Sequence, residues 1–127
     1  MNLLLDTHAF IWFMEGSKAL PKSSRQAIED ITNNCFISIA SIWEIAIKSS
    51  LGNLKLRADF SQITDFLESN EIELLPIDFD HLQRLLTLKY YHRNPFDRII
   101  IAQGLTENLT IVSKDENFPK YTSKLLW

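Results

Sequence analysis

The sequence predicts an α/β fold, a three-layer α/β/α sandwich around a central, mostly parallel sheet. Two observations lead there. Short apolar runs recur along the chain (LLL, CFISI, IELLPI, LTIV), and helical apolar spacing follows each of the first three. An acid stands at several of these junctions, so the recurring order is strand, acid, helix. Strands that alternate with helices imply parallel pairing and right-handed crossovers. In such a sheet the strand C-termini share one edge, where ligands bind.

The opening LLLDTH begins as a strand buried on both faces and turns helical through Phe10, Ile11 and Met14. Gly16 and Pro21 break the chain before SSRQAIEDITNN, a polar helix that Ser23 or Ser24 caps and that ends near Asn33. CFISIAS is a second strand, and Ser41 leads into IWEIAIKSSLG, which stops at Gly52. FSQITDFLESN reads as a helix and IELLPI as a third strand. DFDHLQRLLTLKYY is an amphipathic helix with Leu82, Leu85, Leu86 and Tyr90 on one face. PFDRIIIAQGLTEN fits a helix with Pro95 in its first turn, although three isoleucines in a row also suit a strand. NLTIVS is the fourth strand, and the terminal KLLW is a short edge strand.

A chain of 127 residues fits one domain, 1–127, large enough to bury a core. No stretch has the length of a membrane span, and MNLLLD lacks the basic leader of a secretory signal. Cys35, the single cysteine, forms no disulfide framework or thiol metal site, which fits a reducing, cytoplasmic setting. A formal charge of −3 excludes gripping nucleic acid by bulk positive charge, though not local binding through a few cations.

The predicted topology gathers four acids. Asp6 ends the first strand, Glu44 lies in the first turn after the second, Asp97 opens the isoleucine helix, and Asp115 follows the fourth strand. Each also has a plain local explanation. Asp6 suits an N-cap, Ser41-x-x-Glu44 matches a capping box, Asp97 sits at the third position after the cap Asn94, and Asp115 suits a turn. Capping does not require all four to share one edge. Crowded carboxylates repel, and without a cation some must take up protons. Mg²⁺ resolves that conflict and keeps waters for a phosphate substrate. Two such ions about 3.5–4 Å apart activate a water and stabilise a leaving oxygen.

The segments LLLDTHAFIW, SIASIWEIAIK, HRNPFDRIIIAQ and IVSKDENF, in this order, closely resemble the PIN-domain ribonucleases of the VapC toxin family, along essentially the whole chain. The resemblance implies a PIN-like fold and a Mg²⁺- or Mn²⁺-dependent endoribonuclease, the toxin of a type II toxin–antitoxin pair that inhibits translation and growth. It assigns Asp6, Glu44, Asp97 and Asp115 to the catalytic, metal-binding pocket. It matches Ser113 to a small hydroxyl residue beside that pocket and Arg98 to the arginine that commonly follows the third acid. It implies RNA as substrate, cut to a 5′-phosphate and a 3′-hydroxyl, a small antitoxin as partner, and a homodimer. Asn94 departs from the usual Asp before the proline, but Asn caps a helix equally well.

His8, His81 and His92 lack the close pairing of zinc motifs. His8 suits a tuning or capping role, His81 a structural one, and His92 with Arg93 either a phosphate contact or a solvated loop. Lys48 is placed as the i,i+4 partner of Glu44. Phe10, Trp12, Phe13 and Trp43 serve either as stacking surfaces for unpaired bases or as core and interface. Two other readings compete: a phospho-acceptor receiver domain using Lys114, and a PIN-like protein that only binds RNA or a partner. The receiver fits poorly, because the chain lacks adjacent acids after the first strand and Asp78 begins a helix.

Overall fold

Leu3, Leu4 and Leu5 are wholly buried, as a strand covered on both faces requires. In the computed structural model, which describes residues 1–127, they form most of β1 (Asn2–Leu5). There follow α1 (Thr7–Glu15), α2 (Lys22–Glu29), β2 (Asn34–Ser38), α3 (Ile39–Ser50), α4 (Ile63–Ser69) and β3 (Ile72–Leu75). The chain continues through α5 (Phe79–Thr87), α6 (Pro95–Glu107), β4 (Thr110–Val112) and β5 (Leu125–Leu126). The sheet order is β3-β2-β1-β4-β5, and every pairing is parallel.

Alternation along the strands divides the core into the two outer layers of the sandwich. Leu3, Leu5, Ile37 and Val112 pack with Phe10, Ile45, Ile63 and Leu67 from α1, α3 and α4. Leu4 and Ile111 face the other way, onto Ile100 and Ile101 of α6 and onto Phe118. The run of isoleucines is therefore helical and buried, as Pro95 and the length of the pattern indicated. Gly104 lets α6 lie close to the sheet, since a Cβ there would fall 2.7 Å from Ile111 Cδ1.

Four expectations need correction. The polar helix starts at Lys22 behind Pro21 and has no side-chain cap, because Ser23 and Ser24 already lie inside its first turn. It ends at Glu29 rather than near Asn33, because Asp30 accepts the N–H of Thr32 and turns the chain. Ser38, not Ser41, caps α3 and accepts the N–H of Ala40 at 3.0 Å, so no capping box joins Ser41 to Glu44 and that acid lies in the second turn. Finally, α5 stops at Thr87, which leaves Tyr90 off the helix. The Leu82 and Leu86 face is exposed, while His81 is buried.

Candidate active site

Asp6, Glu44 and Asp115 follow the C-terminal ends of β1, β2 and β4, and Asp97 comes from the first turn of α6. β1 ends one residue before Asp6, whose Oδ1 accepts the Ala9 N–H at 2.8 Å and starts α1. Its carboxyl is pushed above the usual carboxylate range, chiefly by burial, against the lowering effect of hydrogen bonds from Ser113 and Ala9. Ser113, itself buried, also accepts the N–H of Asp115 at 3.1 Å, so one hydroxyl links the first and last acids.

Glu44 is 3% exposed. One carboxylate oxygen meets Lys48 Nζ at 3.0 Å, the expected i,i+4 pair. The other, Oε1, is buried without any hydrogen-bond partner. An unpartnered carboxylate oxygen in the interior carries a large desolvation penalty unless a proton or a cation meets it.

Asp97 stands at the third position of α6, where an acid often caps. Asn94 does that work instead, accepting the Phe96 N–H at 2.9 Å, and no backbone N–H bonds to Asp97. Its Oδ2 lies 3.0 Å from His92 Nε2. Burial raises the Asp97 carboxyl to about 7; His92 opposes the rise, and the like charges of Glu44, Asp6 and Asp115 add to it. Asp115 shapes its own turn by accepting the Asn117 N–H through Oδ1. Its Oδ2 meets the same His92 Nε2 at 3.0 Å.

Asp6, Asp97 and Asp115 line one open cleft of about 430 Å³ together with His8, Trp12, Lys114, Glu116 and Trp127. Lys114 Nζ sits 4.8 Å above the Trp12 ring, and Trp12 packs on Trp127 with centroids 5.8 Å apart. Trp127 gave no signal in the sequence, because only the parallel pairing of β5 with β4 brings it beside the acids. Glu44 approaches from α3, close enough to act on the Asp97 carboxyl.

Other candidates are not brought to the cleft. Arg98 is buried and points into the protein, where it donates to the carbonyls of Leu88, Lys89 and His92. Arg93 is exposed and lines a separate groove with Leu86 and Tyr90. Phe10 and Phe13 are core, so neither offers a stacking face. Trp43 is 60% exposed but packs edge-on against Phe96, outside the acidic cleft. Asp78 caps α5 through the His81 N–H, which disposes of it as a phosphoryl acceptor. No helix is long and apolar enough to cross a membrane.

The all-oxygen donor set fits a hard divalent cation. Several buried carboxylates, one of them with an unpartnered oxygen, suit Mg²⁺ or Mn²⁺ better than a softer metal.

Solved structures share this fold over nearly their full length. A chain of the VapBC2 complex of Rickettsia felis, solved with a promoter DNA fragment, aligns with a TM-score of 0.72 at 16% identity, covering 100% of this chain and 98% of that one. A toxin–antitoxin complex of Klebsiella pneumoniae aligns at 0.66 and 20% identity, covering 98% and 96%. VapBC-1 of nontypeable Haemophilus influenzae aligns at 0.67 and 19% identity, covering 100% and 96%. At such identities the likeness is one of fold. A comparison with curated proteins returned no significant match. Residues 3–124 match the PIN domain, and the chain belongs to the PIN domain family.

Proposed function

We propose that this PIN domain is a metal-dependent endoribonuclease and the toxin of a toxin–antitoxin pair. The observation that carries the reading is the crowding of Asp6, Glu44, Asp97 and Asp115 around one cleft edge, with Glu44 Oε1 buried and unpartnered. Carboxylates so placed stay ionised together only around a cation. Asp6, Glu44, Asp97 and Asp115 would hold Mg²⁺ or Mn²⁺. The cation supplies activation of water and charge neutralisation at a phosphodiester.

The chain's own residues do the rest. Asp6 and Asp115, linked through Ser113, each fix a backbone N–H with one oxygen, and the second oxygen of Asp115 meets His92. Asp97, whose carboxyl burial and the neighbouring acids raise to about 7 in the metal-free protein, gains much from a cation that offsets those like charges. Lys114 is the exposed cation at the cleft and suits a phosphate contact. Trp12 and Trp127 offer ring faces to an unpaired base. No side-chain nucleophile is required.

The structural likeness to toxin–antitoxin complexes supports an antitoxin as partner. Exposed Trp43 and Leu82, with Leu85 and Phe96 beside them, make an apolar surface on the α3, α5 and α6 side that suits a second copy of the chain. Action on RNA goes with a cytoplasmic location. The test is cleavage of a mixed cellular RNA pool by purified protein with Mg²⁺ or Mn²⁺, with EDTA, and by Asp97→Asn. Metal-dependent products bearing 5′-phosphates, lost in the variant, support the reading. Absence of cleavage by the folded, antitoxin-free protein under either metal refutes it and leaves a module that binds RNA or a partner.

A further inference from the structure

We propose that His92 is a positioning residue of the acidic cleft: its Nε2–H, bonded to Asp115 and set against Asp97, fixes the placement of the two carboxylates that receive the cation. This rests on the metal-dependent reading above.

The state of the ring follows from its neighbours. His92 Nδ1 lies 3.2 Å from the backbone N–H of Asn94. A backbone N–H only donates, so Nδ1 accepts, and the ring proton resides on Nε2. That nitrogen stands 3.0 Å from Asp97 Oδ2 and 3.0 Å from Asp115 Oδ2. It therefore donates to Asp115 and stands within ion-pair distance of Asp97. Direct ligation by Nε2 would need the opposite tautomer, with a proton on Nδ1 facing the Asn94 N–H.

The surrounding chain is built to hold that donor still. The His92 backbone N–H donates to Tyr121 Oη at 2.9 Å, and the His92 carbonyl accepts from Arg98 Nη1 at 3.3 Å. The ring stands edge-on to Phe118, which is completely buried. Residues 88–94 form no regular element. They are tied down by the Arg98 guanidinium, which also takes the carbonyls of Leu88 and Lys89. Burying a guanidinium is expensive unless its donors are satisfied, and here they are spent on fixing this loop.

Asp97 and Asp115 come from α6 and from the turn after β4, so neither element alone fixes their separation. A single donor touching both does. Outer partners of this kind orient ligating groups, and their loss typically weakens metal binding about 10–100-fold.

The experiment is Mn²⁺ titration by calorimetry at fixed pH on the full chain, comparing wild type, His92→Ala, His92→Gln and Tyr121→Phe, with circular dichroism and thermal unfolding in EDTA. The expected result is folded His92→Ala protein that binds Mn²⁺ about 10–100-fold more weakly. Gln, whose amide N–H can replace the donor, recovers most of the loss. Tyr121→Phe, which leaves the ring in place but releases its backbone anchor, shows a smaller loss and carries the test if His92→Ala does not fold. Mn²⁺ binding by these variants equal to or tighter than wild type overturns the proposal, even if their melting temperatures fall. Wild type that binds no Mn²⁺ overturns it together with the metal-dependent reading; equal binding overturns it alone.

Discussion

Two histidine–carboxylate clusters in this protein are built alike and behave differently. In one, His81 accepts the Asp78 N–H through Nδ1 and meets Glu107 through Nε2 at 3.0 Å. In the other, His92 accepts the Asn94 N–H through Nδ1 and meets Asp97 and Asp115 at the same distance. The difference lies in the acids. Asp78 and Glu107 keep 57% and 42% of their side chains exposed, so water screens their charge. Asp97 and Asp115 retain 18% and 30%, and Asp6 and Glu44 press on the same space. The first cluster is a bracket between α5 and α6. The second crowds more carboxylates into less water, and that crowding, rather than the residue types, makes it the candidate cation site.

Substitutions at the two clusters should separate these roles. The largest effect is expected from Asp97→Asn, which should lower metal-dependent RNA cleavage by roughly 10²–10³-fold or more, whereas Glu107→Gln should leave the cleavage rate within about twofold of wild type. An end-labelled RNA assay reads both, and equal losses would erase the distinction.

Acidity sharpens it further. The Asp97 carboxyl is raised to about 7 when folded and returns to its ordinary range on unfolding. The folded, metal-free protein therefore binds the extra proton, and stability falls as pH rises from about 4 through 7. Thermal melts in EDTA should give a lower melting temperature at pH 8 than at pH 5.5, corresponding to a stability loss of about a few kcal/mol at most after allowance for solvent screening. Asp97→Asn should flatten that dependence. Melting temperatures that rise over the same interval in wild type would contradict the assigned crowding.

A stability effect belongs to the other cluster. His81→Ala removes a buried ring, a cap and the tie to Glu107, and should cost about 2 kcal/mol while leaving Mn²⁺ affinity unchanged in calorimetry. The smallest effect is expected at the rim. Lys120→Ala removes an exposed hydrogen bond to Asn117 Oδ1 and should change stability by no more than about 0.5 kcal/mol in denaturant melts.

The strands, the helices and their alternation were legible because burial on both faces and the 3.6-residue period are written in local spacing. The apolar run of β1 and the Asn94-Pro95 start of α6 needed no tertiary information. Element ends were less legible. Ser41 looked like a cap, but the chain turned helical three residues earlier at Ser38, and α5 stopped where Arg98 captured the next carbonyls. Only the second depends on a partner farther along the chain, since Ser38 caps the N–H of Ala40 two residues on.

The four acids could be named from their positions, three of them after strands and Asp97 at a helix start, yet local capping explained each of them equally well. The structure divides those explanations. Asp6 and Asp115 do fix backbone N–H groups, each with one oxygen; Glu44 and Asp97 fix none. By itself the sequence determined the α/β class, the strand and helix cores, and the presence of carboxylates at the strand ends, because these follow from spacing along the chain. Tertiary structure alone decided that His92 meets two acids, that Arg98 faces inward and that Trp127 joins the cleft. Those facts depend on the distances and desolvation created when separate elements pack.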